Sequence, residues 1–100
     1  MAIMRYRILL APQAVPDLKG LPAHLRAEVR DAIETHLRHE PSRVSRSRIK
    51  RLLGLSGPQY RLRIGEVRAF YDITGNTVEI LAIILESKAD IWLKEEGERS

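Results

Sequence analysis

Three arginines, Arg61, Arg63 and Arg68, stand in the segment YRLRIGEVRAFY (residues 60–71) at a spacing that a hairpin would gather into one cationic patch. Gly65-Glu66 suits a two-residue turn with glycine first, as a type II′ hairpin prefers. That turn sets Ile64 opposite Val67, Arg63 opposite Arg68, Leu62 opposite Ala69 and Arg61 opposite Phe70. Directly opposed residues share a face of the sheet, as do residues two apart on a strand. Like charges in opposed positions destabilise a sheet, so folding alone gives no reason for them. A bound anion does, because guanidinium forks match phosphate oxygens in pairs and remain charged at any working pH. The plainer alternative is that each arginine pairs with a nearby carboxylate such as Glu66, Asp72 or Glu79.

The patch has neighbours. Arg48, Lys50 and Arg51 precede the hairpin and are candidate RNA-binding residues on an adjacent strand. Phe70 and Tyr71 lie beside the arginines, and aromatic rings next to a basic groove can stack exposed bases. Core packing is expected for at least two of Tyr60, Phe70 and Tyr71. His36 and His39 have i, i+3 helical spacing, but no Asp, Glu or Cys pattern completes a metal site, and none is expected. No glycine-rich phosphate loop or nucleophile elbow occurs, and no cofactor is expected.

Charge distribution supports an anionic partner. The 100 residues carry a formal net charge of +4. Between Pro41 and Arg63 there are seven basic residues and no acidic one, whereas Ile64–Ser100 holds four basic and eight acidic. A block of one sign makes a local field that attracts polyanions. With no cysteine, disulfide and thiolate chemistry are excluded. Apolar residues make up 44%, enough for a core. The first residues lack a signal-peptide pattern, and the apolar run Ile80–Leu85 is far short of a membrane span. A cytoplasmic protein without membrane contact is the expectation.

The elements that must position these groups follow from periodicity. Arg5–Ala11 has the composition of a strand. Pro12 and Pro16 limit the next helix, over Pro12–Lys19, to a short one. Leu21, Leu25, Val29, Ile33 and Leu37 recur every four residues, which predicts a long amphipathic helix over Pro22–His39, stopped by Glu40-Pro41. Ser42–Ser47 is a loop, and Ile49–Leu55 a possible short strand broken by Gly54, Gly57 and Pro58. Gln59–Ile64, Val67–Ile73 and Val78–Leu85 form an antiparallel meander with a second tight turn at Gly75-Asn76. The continuous apolar run of the last strand implies cover on both faces. Ser87–Glu96 is a short C-terminal helix, and 97–100 a tail. One α+β domain spanning residues 1–100 results.

With its elements in this order, the segment from Tyr60 to Tyr71, the apolar strand after it and the basic Lys88 resemble the RelE/ParE toxin family. The front end, with Asp17-Leu18-Lys19-Gly20-Leu21-Pro22 ahead of a long helix, resembles it too. The resemblance covers about residues 5–93. It implies a RelE-like α+β fold and a toxin of a type II toxin–antitoxin system. It further implies metal-independent cleavage of mRNA in the ribosomal A site, by attack of a ribose 2′-hydroxyl on the adjacent phosphate. An acidic cognate antitoxin would neutralise the toxin.

By this resemblance the catalytic residues fall on Arg61, Arg63, Arg68 and Lys88, and a C-terminal aromatic that contacts RNA falls on Trp92. Two departures stand out. The type member carries lysines where this chain has Arg61 and Arg63, and commonly a tyrosine where it has Trp92. Arginine stabilises a phosphorane but scarcely deprotonates, so Glu66, Asp72 or ribosomal RNA would have to accept the proton. The sparse Glu86-Ser87-Lys88-Ala89 segment keeps open a ParE-like inhibitor of DNA gyrase, or a homologue that only binds. Substituting Arg68 with alanine is expected to abolish growth arrest and leave the fold intact.

Overall fold

The computed structural model describes residues 4–53 and 57–99, with side chains to residue 96. The chain runs β1 (Arg7–Leu10), α1 (Ala14–Lys19), α2 (Ala23–Leu37), β2 (Ile49–Arg51), β3 (Tyr60–Ile64), β4 (Val67–Thr74), β5 (Thr77–Leu85) and α3 (Glu86–Arg99). The sheet order is β1-β5-β4-β3-β2. The α+β class and the meander of β3, β4 and β5 agree with the sequence reading. The short strand expected beside the hairpin is β2, antiparallel to β3 at the outer edge. Three points differ. β1 closes the opposite edge in parallel with β5. The C-terminal helix is 14 residues long, nearly equal to α2 at 15, and takes in residues read as a tail. Gly54 and Leu55, read as the end of the β2 region, lie outside the described residues.

Local chemistry accounts for the breaks. Pro16 sits in the first turn of the six-residue α1, where its missing N–H costs no helical bond. Pro22, extended at φ −54° and ψ 151°, precedes α2. The Arg26 guanidinium reaches back to the Leu21 carbonyl at 2.7 Å, supporting this corner. Gly65 and Gly75 have φ of +56° and +60° and no other residue in either turn is left-handed, the pattern of type II′ hairpins.

The sheet is covered on both faces. On one, Val29, Ile33 and Leu37 of α2 pack with Leu62, Ile64, Val67, Ala69, Tyr71, Ile80 and Ile83. On the other, α3 places Ala89, Trp92 and Leu93 over Phe70 and Ala82. A bulge lets this happen. β4 pairs Phe70 with Ala82 but Tyr71 with Ile80, leaving Leu81 extra. The alternation of β5 shifts there, so Ile80 and Ile83, three apart, share the α2 face. Tyr71 is fully buried, stacks on Tyr60 with ring centroids 5.4 Å apart, and donates its hydroxyl to the Pro41 carbonyl at 2.6 Å.

Candidate phosphate-binding surface

The hairpin register is as the sequence implies: Arg63 faces Arg68, Arg61 faces Phe70, Leu62 faces Ala69 and Ile64 faces Val67. Leu62 and Ile64 go down into the α2 core, so Arg61 and Arg63 emerge on the α3 face. β2 adds Lys50 directly opposite Arg61. Lys50, Arg61 and Arg68 line a cavity of about 200 Å³ beneath α3, with Glu86 and Asp90 on its helical wall.

Arg61 is the half-buried centre of this arrangement. Its Nε is buried and donates no hydrogen bond. Burial lowers its pKa first, and the neighbouring Arg68 and Arg63 lower it further, against a raising influence from Glu86. The group stays protonated, since guanidinium does not give up its proton in proteins. It is thus a cation crowded by two others, a repulsion that a bound anion would offset. Among the described residues, Lys50, Arg61 and Arg63 form no ion pair, so the carboxylate alternative fails for them.

Arg68 departs from the expectation. It is only 4% exposed. Its Nη1 donates to the carbonyls of Gly65 at 2.7 Å and Val67 at 3.0 Å, and its Nη2 lies 3.1 Å from Glu86 Oε1. It is a buried strut at the hairpin end, closed off by the first residue of α3, and not part of the open grip. Glu86 was not singled out from sequence. No sequence signal marks it: the Gly75-Asn76 turn alone would set Arg68 opposite Ile83, and only the bulge shifts Arg68 to Ile84, so that Glu86 is the next residue on that face.

Several candidates stand apart from the patch. Lys88 lines a separate groove between α1 and α3, beside Asp17 and Gly20. Trp92 is half-buried and stacks on Phe70, centroids 4.8 Å apart, which occupies one of its ring faces, and it also lines the groove that holds Lys88. Arg51 lies over Tyr60, 4.8 Å from the ring centroid, on the α2 side. Arg48 donates from Nη1 to the Arg63 carbonyl at 3.2 Å, at the outer rim of the hairpin. The proton acceptors considered from sequence are also displaced. Asp72 Oδ1 accepts the Gln59 backbone N–H at 2.7 Å, and Glu66 sits exposed at the turn. No group of three or more metal-ligating side chains occurs among the described residues, and no described helix is long and apolar enough to cross a membrane.

A five-stranded sheet backed by a helical pair, with a cationic hairpin half-roofed by a C-terminal helix, defines a small α+β domain with a basic surface. The family model for the ParE toxin of type II toxin–antitoxin systems matches residues 8–89, and the chain belongs to this RelE/ParE toxin family. Solved structures agree. A chain of the toxin–antitoxin complex RelBE2 from Mycobacterium tuberculosis superposes with a TM-score of 0.71 at 28% identity, covering 84% of this chain and 94% of that one. The RelE-RelB complex from Pyrococcus horikoshii gives 0.62 at 26% identity, covering 85% and 99%. The RelB-RelE complex from Methanococcus jannaschii shares the fold, with a TM-score of 0.63 at 24% identity over 84% and 96%. No curated protein matches.

Proposed function

We propose that this toxin is a ribosome-dependent mRNA endoribonuclease, acting without a metal in the cytoplasm and silenced by an acidic antitoxin. The observation that carries the reading is the trio Lys50, Arg61 and Arg63, none of which forms an ion pair among the described residues. These groups would hold the scissile phosphate and stabilise charge on the pentavalent phosphorane as the 2′-oxygen attacks. Arg68 would act at one remove, by orienting Glu86. Of the carboxylates, Glu86 and Asp90 line the cavity and replace Glu66 and Asp72 as candidates to accept the 2′-hydroxyl proton. The neighbours are complexes with RelB-type antitoxins, which supports an antitoxin for this chain; the basic block from Arg43 to Arg63 favours an acidic one.

One arrangement favours inhibition of DNA gyrase through protein contact: Glu86 closes off Arg68, and Lys88 lines a groove apart from the arginines. A translation extract separates the two. Ribonuclease action cuts mRNA within codons only when ribosomes are present. Intact mRNA together with inhibited supercoiling would replace the ribonuclease by the gyrase reading.

A further inference from the structure

A second cavity, of about 440 Å³, opens between the C-terminal end of α2 and the loop from residue 41 to 48. That volume suits a small-molecule site. Both walls are fixed. Buried Pro41 ends the helical run, and its carbonyl accepts the Tyr71 hydroxyl. Ser45 Oγ accepts the backbone N–H groups of Arg48 and Ile49 at 3.0 and 3.2 Å, tying the loop to β2.

The lining is mixed rather than uniformly cationic. Arg43 is engaged with Glu40 at 2.8 Å. A bare phosphate would meet the Glu40 carboxylate. His36 is half-buried, and its pKa is lowered first by burial and then by the Arg48 charge, so its imidazole is neutral at physiological pH. The imidazole rings of His36 and His39, hydroxyls from Thr35 and Ser45, and the Glu40 carboxylate offer flat faces with donors and acceptors side by side. That is the chemistry that stacks an unpaired base and reads its edge. Arg48 joins the two regions, because it lines this cavity while bonding the Arg63 backbone.

We propose that this cavity is a nucleotide subsite, taking one unpaired base of the single-stranded RNA whose phosphate lies on Arg61 and Arg63, with Arg48 on the phosphate between. The inference rests on the ribonuclease reading of the hairpin. It makes the bound RNA turn around the β2 edge, from the α3 face to the α2 face.

The test uses the isolated protein and a short single-stranded oligoribonucleotide made uncleavable by 2′-O-methylation. The His36 and His39 ring resonances are followed by NMR during titration. Thr35→Trp, at an exposed helical position, fills the mouth of the cavity without touching the core. Both rings should shift, and the variant should bind about tenfold more weakly, the loss expected from one stacked base. Rings that stay unmoved, with equal binding by the variant, overturn the subsite and leave the hairpin reading standing. An equal response to polyglutamate overturns it as well, since the cavity would then respond to negative charge of any kind. Absence of oligonucleotide binding also overturns it, and the translation extract decides the ribonuclease reading separately.

Discussion

Replacing Arg68 with alanine should destabilise the fold, although the residue sits among those expected to act on RNA. The guanidinium is 4% exposed and makes two hydrogen bonds to carbonyls and one contact to Glu86. A hydrogen bond from a charged donor contributes about 1.5–3 kcal/mol. The Gly65 carbonyl belongs to an exposed turn and regains water in the variant, so one of the two bonds is discounted. The Glu86 side chain is 66% exposed, which limits the ion pair to less than about 1 kcal/mol. The net loss is about 2 kcal/mol, or about 10 °C in midpoint for a domain of this size. Arg63 is exposed on the same hairpin, so Arg63→Ala should stay within about 0.5 kcal/mol of wild type. Urea and thermal unfolding of the two variants measure the difference. Wild-type stability in Arg68→Ala, or a larger loss in Arg63→Ala, would refute the assignment of Arg68 as a strut. Loss of growth arrest in Arg68→Ala is therefore no evidence of a catalytic role unless protein levels are matched.

Other consequences follow from packing and charge. Phe70 is fully buried under Trp92, so Phe70→Ala should cost about 3–5 kcal/mol and free α3, seen as faster amide exchange in residues 86–96. Tyr71→Phe leaves the Pro41 carbonyl without its donor and should cost about 1–2 kcal/mol by urea unfolding. His36 has a folded pKa below its ordinary 6.5, so protonation is harder in the folded state. Folded and unfolded chains bind protons alike well above pH 6.5, and His36 makes stability fall as pH drops below it. His36→Gln should flatten that acid-side slope, and an NMR titration of the His36 ring should give a midpoint that rises toward 6.5 in Arg48→Ala.

The hairpin was legible because its signals were local. Gly65 fixed the turn, and a two-residue turn fixes every pair on both strands. The α2 helix was legible because apolar residues four apart leave one solution for its buried face. What escaped the sequence reading was set by distant partners. β1 pairs with β5 some 70 residues later, and no local pattern reports a parallel edge. The bulge at Leu81 hides in a run that is apolar at nearly every position, so its change of alternation leaves no mark. α3 sets most of what differs at the site from a flat hairpin patch. Its placement over Phe70 buries Arg68, occupies one face of Trp92 and turns Lys88 toward α1. The turn and strand spacing located the cationic hairpin but not which arginine remains open, since that depends on where α3 lies and on Glu86 at its start.

The most direct measurement is the rate at which a reporter mRNA is cut in a translation extract by wild type and by Arg61→Ala/Arg63→Ala, with unfolding midpoints taken on the same samples. If the open guanidinium groups hold the reacting phosphate, the double variant should cut at least about 100-fold more slowly with its stability little changed. Cutting at the wild-type rate by a folded double variant would contradict the assignment.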